Sequence, residues 1–427
     1  MTDLGTSKPA TSLIDYLALG EVPWSLAYVG FLAYFVAITT YIADVGAAAM
    51  AIALIGLFFG TRRPNWPAPV WTFFAFWICA AVTTALSGYP GDFEPVIELG
   101  KLVLIFLVAV NVLWNRHALR LFLLIYLACF TLFPVRGTLA SYYIHDNADF
   151  GRPSWARLFG NANDMAALTL LALAVAAGFL HAESPRTVRI AALFLCLVFG
   201  VVILLTQSRA AFIGTSVFLM FLILSIRRNR LRTMLAVFTI AAAIIAIAPP
   251  EVWERVAGLK NAASTSTIAE IDPEGSATQR WEIWLTALQI IEDQPFAGVG
   301  RGRSPVVHGL YNTKWGDKSF HNTYLEVLAE TGVIGFIFFM GLIATVIIIA
   351  RRARRSALAL QATADWRRLQ FLEFGMYGYM AAGLWGTYGF ISLMYVYLAI
   401  IYAQAKVLEK LAQDWSENSP TASPVAL

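Results

Sequence analysis

Apolar stretches close to twenty residues long recur along this chain, and no other feature restricts its fold as much. The runs at about 24–43, 45–60, 69–87, 98–114, 118–134, 163–181, 190–206, 210–226, 233–249, 322–350, 370–388 and 390–407 are each bounded by charge, Gly or Pro. A bilayer core takes about 20 apolar residues to cross as a helix, and in lipid a helix satisfies its own backbone polar groups. With 59% hydrophobic and only 14% charged residues, no soluble class fits. The expectation is an all-α polytopic membrane protein with about 12 transmembrane helices. The least marked boundaries are at Asp44, which alone separates the first two runs, and at Gly386 and Gly389, which must turn the chain between the last two.

Arg62 and Arg63, Arg116 to Arg120, Arg186 to Arg189, Arg227 to Arg232 and Arg351 to Arg355 all fall in alternate loops. Cytoplasmic loops carry the Lys/Arg excess, so these loops and both termini are placed inside. The chain then divides into helices 1–9 over residues 1–249, with an outer loop near 135–162, and a large outer loop over 250–321. Helices 10–12 follow over 322–412, with a basic inner loop near 351–369, and a Ser/Pro-rich tail over 413–427 reads as disordered. The first segment shows no small-residue cleavage site, so its N-terminus is expected to be retained. A net charge of +4 spread over loops beside the membrane does not point to nucleic acid. Cys79, Cys129 and Cys196 lie inside predicted spans and read as packing residues. No internal repeat of the transporter kind is present.

Function is therefore sought in the outer loops. Residues 279–291 place Trp281, Trp284, Leu285, Leu288 and Ile291 at helical spacing, which predicts an amphipathic helix lying on the membrane surface. After Pro295 come Gly298, Gly300 and Gly302 among Arg301 and Arg303, a backbone that suits close approach to a ligand and equally an ordinary loop. Thr323 followed by Glu326 reads as a capping box, putting His321 and Asn322 just ahead of a helix N-terminus that attracts anions. Ser208-Arg209 interrupts an apolar stretch from Ile190 to Ile226 that is long enough for two spans, so Arg209 falls in a tight outer turn. Arg280 on the amphipathic segment and Arg136, Arg152 and Arg157 in the first outer loop lie on the same side. Guanidiniums gathered where the charge rule disfavours them fit a polyanion such as a lipid pyrophosphate, with a His base beside an Arg clamp. Each of these residues also has a bland reading, as a loop terminus, a solvated helix flank or an interface anchor.

The stretch from Phe320 to Gly335, FHNTYLEVLAETGVIG, resembles the signature of the O-antigen ligase and polymerase superfamily. The resemblance extends to Gly298 and Gly300 ahead of the His, to Ser208-Arg209 at a short outer turn, to Asn161 and Asn163 at the head of a middle helix, and to Arg280. It covers about residues 150–350, and the N-terminal third matches only in hydropathy.

It implies the type-C glycosyltransferase fold in a bacterial inner membrane, with the large loop and the active site facing the periplasm. The implied reaction moves a glycan from undecaprenyl pyrophosphate to a sugar hydroxyl of lipid A-core, with inversion and without a metal or other cofactor. His321 would be the base, and Arg209 and Arg280 would hold the pyrophosphate. Arg136, Arg152, Arg157, Asn161, Asn163, Gly298, Gly300, Arg301, Arg303 and Asn322 would line the substrate site. Partners are then the lipid-linked donor, the lipid A-core acceptor and membrane lipids, around a monomer. An Arg followed eleven residues later by Gly, the pattern associated with polymerases, occurs in neither outer loop, which favours ligation over joining of repeat units. Transfer to a protein hydroxyl stands behind both. A transporter of a lipid-linked or anionic solute is the alternative from another class, and it would place ionisable residues at the bilayer midplane.

Overall fold

The computed structural model describes residues 13–42, 44–145, 152–181, 183–225, 276–360 and 363–418, with isolated positions at 231, 234, 235 and 239. The predicted span 233–249 falls almost wholly outside the described residues, as do 250–275 of the large loop, 146–151 of the first outer loop and 419–427 of the tail.

Regular structure among the described residues is helical. In chain order the α-helices are α1 (Leu13–Leu17), α2 (Leu26–Thr40), α3 (Gly46–Phe59), α4 (Ala68–Leu86), α5 (Glu94–Val112), α6 (Arg116–Phe130), α7 (Arg136–Tyr143), α8 (Ala162–Ala177), α9 (Arg186–Leu205), α10 (Arg209–Ser225), α11 (Ser276–Asp293), α12 (Ser304–Tyr311), α13 (Thr323–Ser356), α14 (Ala364–Ala382) and α15 (Ser392–Asn418). Five stretches are long and apolar enough to cross a membrane: α4, α5, the continuous run Arg116–Tyr143, α9 and α13. Helices α2, α3, α8 and α10 are apolar but shorter. Among the described residues the chain is all-helical, with five helices long and apolar enough to cross a membrane and four shorter apolar ones, which is consistent with a polytopic membrane protein.

Several boundaries differ from the sequence expectation for physical reasons. The run 118–134 does not end at Pro134: the missing N–H widens one turn into a π-helix over Thr131–Val135, and the helix carries on as α7 to Tyr143. The expected span 370–388 begins earlier, at the Thr363 cap, because Asp365 and Arg368 pair inside the bundle and so need no water. At the head of the chain, α2 and α3 pack backbone to backbone. A Cβ on Gly30 would stand 2.6 Å from the Ala53 amide, and one on Gly56 would run into Ala27.

Helices α8 and α15 lie deepest. Almost every α8 side chain is buried, and α15 buries the unbroken stretch Leu393 to Ala403. Aromatic rings lock α15 to α4, with Phe73 and Tyr395 stacked at 4.3 Å.

Helix α13 is broken near its head. Gly332 has φ 64° and ψ −178°, so the turns Thr323–Thr331 and Val333–Ser356 are separate helices joined by one extended residue. The break frees backbone groups, and the turn at residues 295–300 takes them up. The Val299 amide donates to the Ala329 carbonyl (2.8 Å), Gly300 to Glu330 (3.0 Å), and the Val333 amide to the Pro295 carbonyl (2.8 Å). Each such group left unpaired at membrane depth would cost several kcal/mol.

Candidate active site

Gly298, Gly300 and Gly302 all have positive φ (65°, 94° and 79°), so the turn they make requires glycine. A Cβ on Gly298 would press 2.6 Å from the Glu330 carbonyl and the Gly332 amide. Gly298 and Gly300 therefore serve the docking of the loop into the α13 break, while Gly302 lies against Pro95 of α5. The arginines between them are tied to the protein. Arg301 pairs with buried Glu330 at 2.7 Å and lies over the Phe390 ring, while Ser304 donates to the other Glu330 oxygen at 2.8 Å. Arg303 is buried and donates to the carbonyls of Thr84 (2.9 Å), Ser87 (3.3 Å) and Gly91 (3.1 Å), fastening the loop to the α4–α5 connection.

Docked in this way, the loop builds a small core of its own. Ile283, Ala287 and Ile290 of α11 pack with Val299, Val307, Phe320 and Ala329. The opposite face of α11 exposes Trp281, Leu285 and Leu288, so Trp284, placed on the membrane-facing stripe by the sequence reading, turns inward instead. Its indole Nε1 donates to the Phe320 carbonyl at 2.9 Å.

That bond pins the residue before His321, which adopts φ 48°. A non-glycine residue in this left-handed region is uncommon and marks a conformation imposed by its surroundings. Beyond it, Asn322 caps α13, its Oδ1 accepting from the amides of Tyr324 (3.0 Å) and Leu325 (3.1 Å). The expected capping box on Thr323 and Glu326 is not formed. Thr323 instead spends its hydroxyl on the α14–α15 connection, donating to Gly386 (2.7 Å) and accepting from the Tyr388 amide (2.8 Å). Glu326 points into the bundle, where its Oε2 has no hydrogen-bond partner among the described residues.

The His321 imidazole is half-buried, and its pKa lies below the ordinary value because burial, the Arg280 guanidinium and the Lys318 ammonium all disfavour a further positive charge. Arg280 and Arg152 both act electrostatically on the Tyr388 phenol, whose hydroxyl reaches the Asn163 carbonyl at 3.4 Å. Arg152 donates to Asn163 Oδ1 (2.6 Å) and, through Nε, to the Thr206 carbonyl (2.9 Å), just before the Gln207-Ser208 turn that leads into α10. Arg209 opens α10, exposed, after Gln207 in a left-handed conformation (φ 51°). Asn161 caps α8 through the Asn163 amide.

Arg280 thus acts electrostatically on both His321 and Tyr388, Arg152 and Asn163 also meet Tyr388, and Arg209 stands three residues beyond the carbonyl that Arg152 holds. Arg157 is elsewhere engaged, stacked over Tyr41 at 5.0 Å, and Arg136 stands exposed at the start of α7; no described contact links either to His321. Sequence reasoning missed Tyr388 and the acidic group of Asp164, Glu326 and Glu330, which interact electrostatically beside Arg301. Among the described residues no set of three His, Cys, Asp or Glu side chains is arranged to hold a metal ion.

Chemically, the arrangement offers an imidazole whose protonation is disfavoured, ahead of a helix N-terminus and in the field of Arg280, which suits removal of a proton beside a bound anion. Residues 191–340, which hold Arg209, Arg280, the glycine turn and His321, match the family model described as O-antigen ligase. No curated protein matches the chain.

Proposed function

We propose that this chain, a member of the O-antigen ligase superfamily by its residues 191–340, transfers a glycan from undecaprenyl pyrophosphate to a sugar hydroxyl of lipid A-core at the periplasmic face of a bacterial inner membrane. The observation that carries the reading is His321. Its backbone is held in a left-handed turn, burial and Arg280 disfavour protonation of its ring, and it stands next to the cap of α13. In the proposed reaction His321 Nε2 or Nδ1 takes the proton of the acceptor hydroxyl, whose oxygen attacks the anomeric carbon from the side opposite the pyrophosphate. The C–O bond to the carrier breaks with inversion, and Arg280 and Arg209 neutralise the departing pyrophosphate. No step in this scheme calls for a metal. Arg152, held by Asn163 and Thr206, extends the positive wall.

The test is transfer in nanodiscs by the purified protein, with undecaprenyl-pyrophosphate glycan and lipid A-core, comparing wild type with His321→Ala. Wild type is expected to form the glycan–core product, and the variant to lose about a hundredfold or more, the usual contribution of a general base. Chains of repeat units growing without added core would replace the ligase by a polymerase. Absence of product in both formats would remove the transfer reading.

A further inference from the structure

The end of the bundle opposite His321 holds a second gathering of arginines that the transfer reaction does not use. Arg116 opens α6, Arg120 follows one turn later, and Arg368 lies near the start of α14 beside Asp365. Arg116 Nη2 reaches Asp365 Oδ2 at 2.6 Å, and Arg368 Nη1 reaches Oδ1 at 2.9 Å. Arg120 interacts electrostatically with all three, donates to the Tyr16 carbonyl at 2.6 Å and lies over the Tyr16 ring. Arg120 and Arg368 are buried, and Arg116 is one-third exposed.

The charges do not balance. Two guanidiniums pair with the single buried carboxylate and a third lies in its field, so the buried part of the cluster carries more positive than negative charge among the described residues. Asn115 and Thr363 cap α6 and α14 here, so the positive ends of two helix dipoles meet at the same place. Of the neighbouring carboxylates at the rim, Glu21 is largely solvated and taken by His117, while Glu183, half-exposed and near His181, acts on Arg116 only electrostatically. Gln404, on the inner side, donates to Asp365 without adding charge. The Nε atoms of Arg116, Arg120 and Arg368 are all buried without a hydrogen-bond partner. Buried donors and unbalanced cations are costly unless an acceptor of opposite charge completes them.

We propose that this cluster binds a phosphate anion, with Arg116 at its mouth and Arg120 and Arg368 as its floor. A phosphate oxygen set matches the planar fork of a guanidinium and offsets the excess charge. Two sources present this chemistry at a membrane-protein end: the headgroup of an anionic phospholipid and inorganic phosphate. Basic pockets between transmembrane helices are a recurring form of headgroup site. The site stands independently of the transfer reading, since α14 separates the two ends by about 28 Å.

The experiment measures the thermal midpoint of the full chain in phosphatidylcholine nanodiscs, with and without phosphatidylglycerol, and with inorganic phosphate in place of phosphatidylglycerol. Wild type should gain several degrees with at least one phosphate source, and Arg352→Gln, which removes an exposed arginine of α13, should gain as much. Arg116→Gln should lose most of the gain. A rise with phosphatidylglycerol alone assigns the lipid, and a rise with inorganic phosphate alone assigns the soluble anion. No rise with either, or an equal rise in Arg116→Gln, overturns the proposal. Should Arg116→Gln not fold, wild type released from mixed nanodiscs into a mass spectrometer decides: preferential retention of phosphatidylglycerol, or a retained inorganic phosphate, supports the site, and equal retention of both lipids with no retained phosphate overturns it.

Discussion

The imidazole of His321 meets partial burial, the Arg280 guanidinium and the Lys318 ammonium, and all oppose its protonation. A base must be neutral to work, so the transfer rate should fall on the acid side as pH drops through a pKa below the ordinary histidine value and reach a plateau on the alkaline side of it. Lys318→Gln removes one of the opposing charges, so its acid limb should move to higher pH with the plateau unchanged. Lys318 is exposed, so the displacement should be small and shrink with added salt. Rate profiles of the two proteins at low and high salt check this; coincident profiles at low salt would remove Lys318 from the field at His321. Arg280→Lys should not restore the rate, because an ammonium cannot reproduce a forked contact. Trp284→Phe deletes the bond to the Phe320 carbonyl, worth about 1 kcal/mol of stability, along with part of the ring that packs on the loop's core. Turnover should fall by more than that stability change implies if the bond positions His321, which parallel turnover and denaturation measurements resolve. His321, Arg280 and Asn322 were legible in sequence because they stand in or beside helix-start patterns. Tyr388 was not, since it arrives more than sixty residues later in the chain through its amide bond to Thr323.

Helix α13 and the turn at 295–300 form one unit, because each supplies the backbone partners the other lacks. Gly332→Ala should lower the thermal midpoint and activity together: its φ is 64° and the new Cβ would collide with the Phe296 carbonyl. Gly316→Ala separates the two causes, having the same φ of 64° but nothing within 4 Å. It should cost only about 1 kcal/mol, the penalty of the backbone region alone. Equal losses in both variants, read by thermal denaturation, would mean that packing at the α13 break is unimportant. The sequence exposed the alternating glycines, as a turn suited to a ligand or to an ordinary loop, and the family resemblance put Gly298 and Gly300 at the substrate site. Their packing against Gly332 was not readable, since nothing local in residues 323–356 marks a helix that must open, and the same run fits an unbroken span.

Across the whole molecule, α14 runs from the Asp365 cluster to the connection that holds Thr323, about 28 Å along its axis, close to the thickness of a bilayer's hydrocarbon core. Cysteines introduced at exposed Thr313 and Arg352 should therefore react with a membrane-impermeant maleimide from opposite sides of sealed vesicles. Labelling of both from one side would contradict this arrangement. The helical, polytopic character was plain in the apolar runs. Helix ends were less so, because paired charges such as Arg354 with Glu373 and Arg368 with Asp365 sit inside the bundle where a hydropathy reading expects solvent. The interlock of Gly298 with Gly332 also limits how such a protein can be recombined. A chimera that borrows its outer segment from another protein must take the head of α13 along with it. Junctions ahead of Ser276 and beyond Gly335 keep that interlock whole, though its ties to the α4–α5 and α14–α15 connections must be matched, whereas a junction at His321 would splice a lock to the wrong key.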